Sequence, residues 1–113
     1  MILLAALLSF GWPALRIEWV PPSTPVPAGM FAVRLAHCCG SMRPSINGGE
    51  LAYAEPYTGQ PLLGHVVSNG KWLHQVTAET ATAVRTAGTA NRHSDPWTQK
   101  TEIQYIIRYI IRP

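Results

Sequence analysis

The chain has 113 residues, 47% of them hydrophobic, and a formal net charge of +3. This length accommodates one domain, and the hydrophobic share excludes an intrinsically disordered chain. The lysines and arginines are scattered without forming a run, so the sequence predicts no nucleic-acid partner. The two cysteines, Cys38 and Cys39, are adjacent in the chain. Adjacent cysteines rarely bridge each other, so no disulfide framework is expected.

An apolar segment, residues 1–20, opens the chain, and its first fifteen residues are MILLAALLSFGWPAL. A membrane-spanning helix needs about 20 apolar residues, and Gly11 and Pro13 shorten this run. We therefore expect the segment either to contact or anchor in a membrane, or to form an element of the core. Membrane association is favoured over a soluble cytoplasmic location.

Residues 21–29 contain four prolines, which predict an extended spacer between the apolar segment and a compact domain of residues 30–113. Frequent glycine and proline in that domain favour short strands over long helices. The pair Asn69-Gly70 predicts the turn of a hairpin over residues 66–76, because both residues tolerate positive φ. The predicted strands are residues 30–36, 50–55, 65–68, 71–77, 82–86 and 103–112.

The final predicted strand contains the run IQYIIRYII, residues 103–111. Its isoleucines also fit helical spacing, so periodicity alone does not decide between helix and strand. Five isoleucines and two tyrosines in nine residues favour a strand, because branched and aromatic side chains pack well on a pleated surface.

The most informative segment is CGSMRPS, residues 39–45, which leads through Gly48-Gly49 into a predicted strand. This arrangement resembles the nucleophile region of type I signal peptidases and, more loosely, that of LexA-type repressor peptidases. The resemblance implies that Ser41 is a nucleophile. Glycine before it allows close approach of a substrate backbone. The implied substrate-binding and oxyanion residues are Cys39, Gly40, Met42 and Pro44.

Three further segments follow in the order of that family: residues 53–67, residues 73–76 and residues 86–95. The second contains His74 where endoplasmic-reticulum and many archaeal members have a histidine base, and where bacterial members have lysine. The resemblance implies that His74 accepts the hydroxyl proton, a role that suits imidazole because its ordinary pKa lies near neutrality. It also implies that Asp95, the only aspartate of the chain, orients the imidazole.

The chain departs from the family pattern at several of these positions. Bacterial relatives have a serine hydroxyl at the position of Cys39, whose thiol is a weaker donor to an oxyanion. The remaining departures are His65 for aspartate, Gln75 for arginine, Ala87 for lysine and Thr89 for aspartate. The departure at Cys39 puts catalytic efficiency in doubt more than identity. Together, Cys39, Gln75, Ala87 and Thr89 point to a module that has lost activity.

Other chemistries are less well supported by the sequence. Lys71 is the rival base, but beside the Asn-Gly turn it is expected in solvent, where an ordinary lysine stays protonated. A cysteine nucleophile at Cys38 or Cys39 is disfavoured because His37 and Cys38 are consecutive strand residues and point to opposite faces. The spacings typical of zinc ligands are absent from the sequence, so neither a metal nor a cofactor is expected.

The sequence therefore predicts a mostly β domain, built from small antiparallel sheets as in the signal peptidase and LexA-like fold. The predicted activity is serine endopeptidase hydrolysis, through an acyl-enzyme, of an extended segment in a precursor or partner protein. Two alternatives remain open: a LexA-like autopeptidase, and a non-catalytic peptidase-like module that binds a peptide or serves assembly. Histidine in place of lysine disfavours the first, and the departures above favour the second.

Overall fold

The computed structural model of the protein describes residues 12–35, 42–90 and 94–113. The fold is mostly β, with 43% strand and 4% helix, which confirms the predicted fold class. The described residues form eight strands in one continuous sheet that curls into a half-barrel, whereas several small sheets were predicted. In chain order the strands are β1 (Glu18–Val20), β2 (Phe31–Leu35), β3 (Glu50–Pro56), β4 (Val66–Ser68), β5 (Leu73–Glu79), β6 (Ala83–Ala87), β7 (Thr98–Gln99) and β8 (Tyr105–Ile111).

The sheet has the strand order β2-β3-β8-β4-β5-β6-β7, and every pair along this path is antiparallel. β1 lies outside the path and pairs with β8 in parallel. A single turn of 3-10 helix, Lys100–Glu102, connects β7 to the approach to β8. β8 is thus the central strand, with β3 along one edge and β4 and β1 in succession along the other.

The isoleucines of β8 are buried on both faces of the sheet, as expected for a central strand. Ile107 and Ile110 belong to the core cluster on one face, and Ile106 belongs to the cluster on the other. All three are fully buried. This two-sided burial explains why the run shows no alternation, and it confirms the strand prediction.

Core packing divides between these two clusters. The first contains Ile17, Leu35, Met42, Ile46, Ala52, Ala54, Val66, Leu73, Ile107 and Ile110. The second contains Leu62, Val67, Val76, Val84, Ile103 and Ile106. Successive residues of a strand face opposite sides, so Leu73 contributes to the first cluster and its neighbour His74 lies on the face of the second. Val67, the cross-strand partner of His74, belongs to the second cluster.

The predicted β4–β5 hairpin is present. Val67 pairs with His74 and Ser68 with Leu73. The Asn69 side-chain oxygen accepts hydrogen bonds from the backbone N–H groups of Lys71 and Trp72, at 2.9 and 3.0 Å. These bonds hold residues 69–72 in the turn, so β5 begins at Leu73 and not at Lys71 as predicted.

Residues 12–20 pack directly on the sheet. Ile17 is buried in the first cluster, and the Gln75 side-chain amide donates to the Pro13 carbonyl at 3.0 Å. The backbone of Ala14 passes close to Gly64, whose φ is +85°. A Cβ added at Gly64 would stand 2.6 Å from the Ala14 carbonyl oxygen. This part of the apolar segment therefore contributes an element of the core. The possible membrane contact was predicted for residues 1–20, and residues 1–11 of that segment lie outside the described residues.

Among the described residues, no helix is long and apolar enough to cross a membrane.

Candidate active site

The clearest polar arrangement in the structure joins His74 and Asp95, which lie 21 residues apart in the chain. His74 Nδ1 is 2.5 Å from Asp95 Oδ2. The two side chains are 19% and 33% exposed, so the pair is sheltered but reachable from solvent. A carboxylate at Nδ1 favours the tautomer that carries its proton there, which leaves Nε2 as the atom able to accept a proton.

Asp95 is fixed from the side of β6 by two bonds to one residue. Its backbone N–H donates to the Thr86 carbonyl at 2.8 Å, and its carboxylate accepts from Thr86 Oγ1 at 2.8 Å. Arg85 Nε also donates to the Asp95 carbonyl at 3.1 Å. Thr86 is buried, with 1% of its surface exposed. The sequence predicted His74 and Asp95 but not Thr86, whose role depends on its pairing with Val76 across β5 and β6.

His74 faces a cavity of about 360 Å³ at the β5–β6–β7 end of the sheet. The cavity is lined by Trp72, His74, Thr86, Asp95, Pro96 and Thr98. The indole of Trp72 is stacked near the imidazole, with ring centroids 6.0 Å apart and planes inclined by 30°. The base candidate is therefore bordered by open space, as access by a substrate requires.

Three of the predicted site residues, Cys39, Gly40 and Ser41, lie outside the described residues. Description resumes at Met42, whose side chain is fully buried in the first core cluster together with Leu73, the neighbour of His74. The Met42 carbonyl accepts hydrogen bonds from Thr89 Oγ1 and from the Ile46 N–H, both at 3.0 Å. We call residues 42–49 the nucleophile segment, because they directly follow Ser41.

Arg112, at the end of β8, anchors the nucleophile segment. Its guanidinium donates to both carboxylate oxygens of Glu50, at 2.6 and 2.9 Å, and to the carbonyls of Pro44 and Ser45, at 3.1 and 3.0 Å. It also lies over the Trp19 ring, 5.6 Å from the centroid. The bonds from Arg112 hold the pKa of Glu50 below its ordinary value. Pro44, predicted to line the substrate site, is thus positioned through its carbonyl; its peptide bond to Arg43 is cis.

A hydrogen bond connects the nucleophile segment to the strands that contain the base candidate. Thr89, which binds the Met42 carbonyl, is two residues beyond Ala87, and Ala87 pairs with Gln75. Gln75 is adjacent to His74 in β5. The residue after Ser41 is thus connected to His74 through β6 and β5.

Two departures from the family pattern are neighbours in the fold: Gln75 lies in β5, and His65, just before β4, bonds through its carbonyl to the next residue of β5, Val76. Gln75, in place of arginine, is buried and binds the Pro13 carbonyl. His65, in place of aspartate, is 7% exposed, and its Nδ1 has no hydrogen-bond partner. Burial, and next the positive charges of Arg108 and Arg16, lower the pKa of His65.

Lys71, the rival base, is exposed beside the hairpin turn, as predicted. Within residues 12–35, 42–90 and 94–113, no group of three or more histidine, cysteine, aspartate or glutamate side chains could hold a metal ion. Comparisons of the chain with family models, with curated proteins and with solved structures find no match.

Proposed function

We propose that the protein is a serine endopeptidase that hydrolyses an extended peptide segment of a precursor or partner protein. Ser41 is the nucleophile, His74 the general base and Asp95 the residue that orients the imidazole. The family resemblance to type I signal peptidases suggested these roles from sequence order. The observation that carries the proposal is the 2.5 Å contact between His74 Nδ1 and Asp95 Oδ2.

In the proposed reaction, Ser41 Oγ attacks the carbonyl carbon of the scissile peptide while His74 Nε2 takes its proton. The tetrahedral intermediate collapses to an acyl-enzyme, and the imidazolium gives its proton to the departing amine. Water, activated by the same imidazole, then hydrolyses the ester and restores the Ser41 hydroxyl. Throughout, the Asp95 carboxylate accepts the hydrogen bond from Nδ1–H and stabilises the transient imidazolium charge.

One feature of the described residues supports a shared site for the base and the nucleophile. Thr89, two residues beyond the end of β6, donates to the Met42 carbonyl, and Thr86 of β6 binds Asp95. The residue after Ser41 is thereby attached to the part of the sheet that contains His74. A hydroxyl needs a base within hydrogen-bond reach to become nucleophilic, so this attachment is what the proposal requires.

A fluorophosphonate probe tests the proposal, because it reacts only with activated hydroxyls. We expect one adduct per chain, mapped by mass spectrometry to Ser41, and loss of the adduct in both Ser41→Ala and His74→Gln. Ser45→Ala is the matched control, since Ser45 lies in the same segment and its carbonyl, not its hydroxyl, makes the described bonds. Absence of labelling in the unmodified chain, or labelling that persists in His74→Gln, would overturn the proposal.

The same samples separate the two alternatives. A LexA-like autopeptidase would cleave its own chain, which the intact mass of the purified protein reveals, and Ser41→Ala would stop that cleavage. A non-catalytic module would bind extended peptides equally well in Ser41→Ala and His74→Gln, with no adduct and no turnover in any form. Turnover of added peptides without self-cleavage supports the endopeptidase.

A further inference from the structure

The cavity beside His74 is lined largely by apolar groups. Trp72 and Pro96 provide an indole and a pyrrolidine ring, and the Thr98 side chain lines the same space. Asp95 is the only acidic group among the lining residues, and its Oδ2 is already bonded to His74 and Thr86. The surface that remains for a ligand is therefore formed largely by ring carbons and a methyl group.

Size limits what such a cavity can hold. Pockets for complete small-molecule ligands typically measure about 300–1,000 Å³, and 360 Å³ lies at the bottom of that range. The space suits one side chain better than a separate ligand. Because the imidazole is itself part of the wall, whatever enters the cavity comes within a few atoms of the proposed reacting centre.

We propose that this cavity is a substrate subsite that receives one large apolar side chain, aliphatic or aromatic, of the peptide being cleaved. The inference rests on the proposed function and specifies its substrate class. Stacking against Trp72 and contact with Pro96 provide the attraction. The Asp95 carboxylate repels acidic side chains at the same position.

Cleavage assays with a peptide series test this subsite. One parent peptide is varied at each position around the scissile bond, with alanine, leucine, phenylalanine, glutamate or arginine. At one position we expect leucine or phenylalanine to raise kcat/KM roughly 10-fold over alanine, mainly by lowering KM, because burying several methylene groups stabilises the bound state. Glutamate at that position should be the poorest substrate.

Two variants of the cavity should change this preference. Thr98→Phe fills the cavity from the partly exposed strand β7, so it should remove the preference for large residues, with leucine and alanine peptides then giving the same kcat/KM. Trp72→Ala should reduce the preference to roughly 3-fold or less. Trp97→Ala is the matched control, because Trp97 is 48% exposed and does not line the cavity.

The outcomes distinguish this inference from the proposed function. Absence of cleavage of every peptide overturns the peptidase itself. Cleavage with equal kcat/KM for alanine and leucine at all positions, a preference for arginine, or a preference that survives Thr98→Phe overturns the subsite and leaves the peptidase in place.

Discussion

His74 and its partners Asp95 and Thr86 are held by the sheet, whereas the nucleophile segment, residues 42–49, is held outside it by isolated contacts. His74 pairs with Val67 of β4 and Thr86 pairs with Val76 of β5, so strand pairing fixes their positions. The nucleophile segment depends on Arg112, on Thr89 and on two buried side chains, Met42 and Ile46. Substitutions in the base half should therefore alter chemistry more than stability, and those around the nucleophile segment should alter both.

The largest expected effect belongs to Asp95→Asn. The amide matches the shape of the carboxylate but neither stabilises an imidazolium nor enforces the required tautomer, so kcat should fall by roughly 10³–10⁴-fold. The free energy of unfolding should change little. Single-turnover labelling measures the chemical step, and Glu102→Gln, on the exposed 3-10 turn, is the control. A loss below tenfold would show that Asp95 does not serve the base.

Arg112→Ala should produce the second largest loss of kcat, and this variant should also lower the free energy of unfolding. The substitution removes two bonds to the Glu50 carboxylate, which is 15% exposed, and two to backbone carbonyls. Because Arg112 is itself about a third exposed, we expect a loss of about 2–3 kcal/mol in urea unfolding, not the larger cost of a fully buried pair. Arg112→Lys keeps the charge but not the forked geometry, so it should recover only part of this. Full recovery by lysine would contradict the anchoring role.

Thr89→Val tests the hydrogen bond from Thr89 Oγ1 to the Met42 carbonyl, which connects the nucleophile segment to the end of β6. The Met42 carbonyl keeps its bond from the Ile46 N–H, so the expected loss of stability is only about 1 kcal/mol. The expected loss of kcat is several-fold, with KM unchanged, because Met42, the residue after Ser41, loses its bond to the end of β6. Thr89→Ser retains the hydroxyl and should restore kcat. If valine and serine give the same kcat, the bond does not position the nucleophile.

The smallest effect concerns His65 and the pH dependence of stability. The pKa of His65 in the folded protein lies below its ordinary value of about 6.5, so between these two pH values the unfolded chain binds the proton more readily. Stability should therefore decrease as the pH falls below about 6.5, by at most about 1.4 kcal/mol per pH unit, and level off below the native pKa. His65→Leu should flatten this part of the curve in thermal unfolding from pH 7 to pH 4. If stability depends on pH equally in the parent protein and in His65→Leu, the pKa of His65 is not lowered in the folded protein.

The parts of the fold that local sequence determines were predictable. Asn69-Gly70 specified the hairpin turn, and the isoleucine-rich run specified a strand buried on both faces. β1 and β7 are three and two residues long, and they exist because partner strands lie beside them. Such short segments carry too few side chains for a periodic signal. The joining of all strands into one sheet likewise depends on β8 pairing with β3, a contact between distant parts of the chain.

The proposed site likewise contains residues that the sequence predicted and residues that it did not. The order of motifs along the chain pointed to His74 and Asp95, and the structure brings their side chains together. The supporting contacts of Thr86, Thr89 and Arg112 depend on strand register and on chain separations of up to 68 residues. A threonine on a strand and an arginine near a terminus have ordinary surface roles in most sequences, so nothing local distinguished these three.

The central claim is that the Ser41 hydroxyl and the His74 imidazole act as one unit, and a double-mutant cycle measures this directly. kcat/KM, or the rate of probe labelling, is determined for the parent chain, for Ser41→Ala, for His74→Ala and for the double variant. Groups that cooperate in one step lose their effect together, so the double variant should be no slower than the slower single variant. Losses that multiply, or equal rates in all four proteins, would contradict the claim.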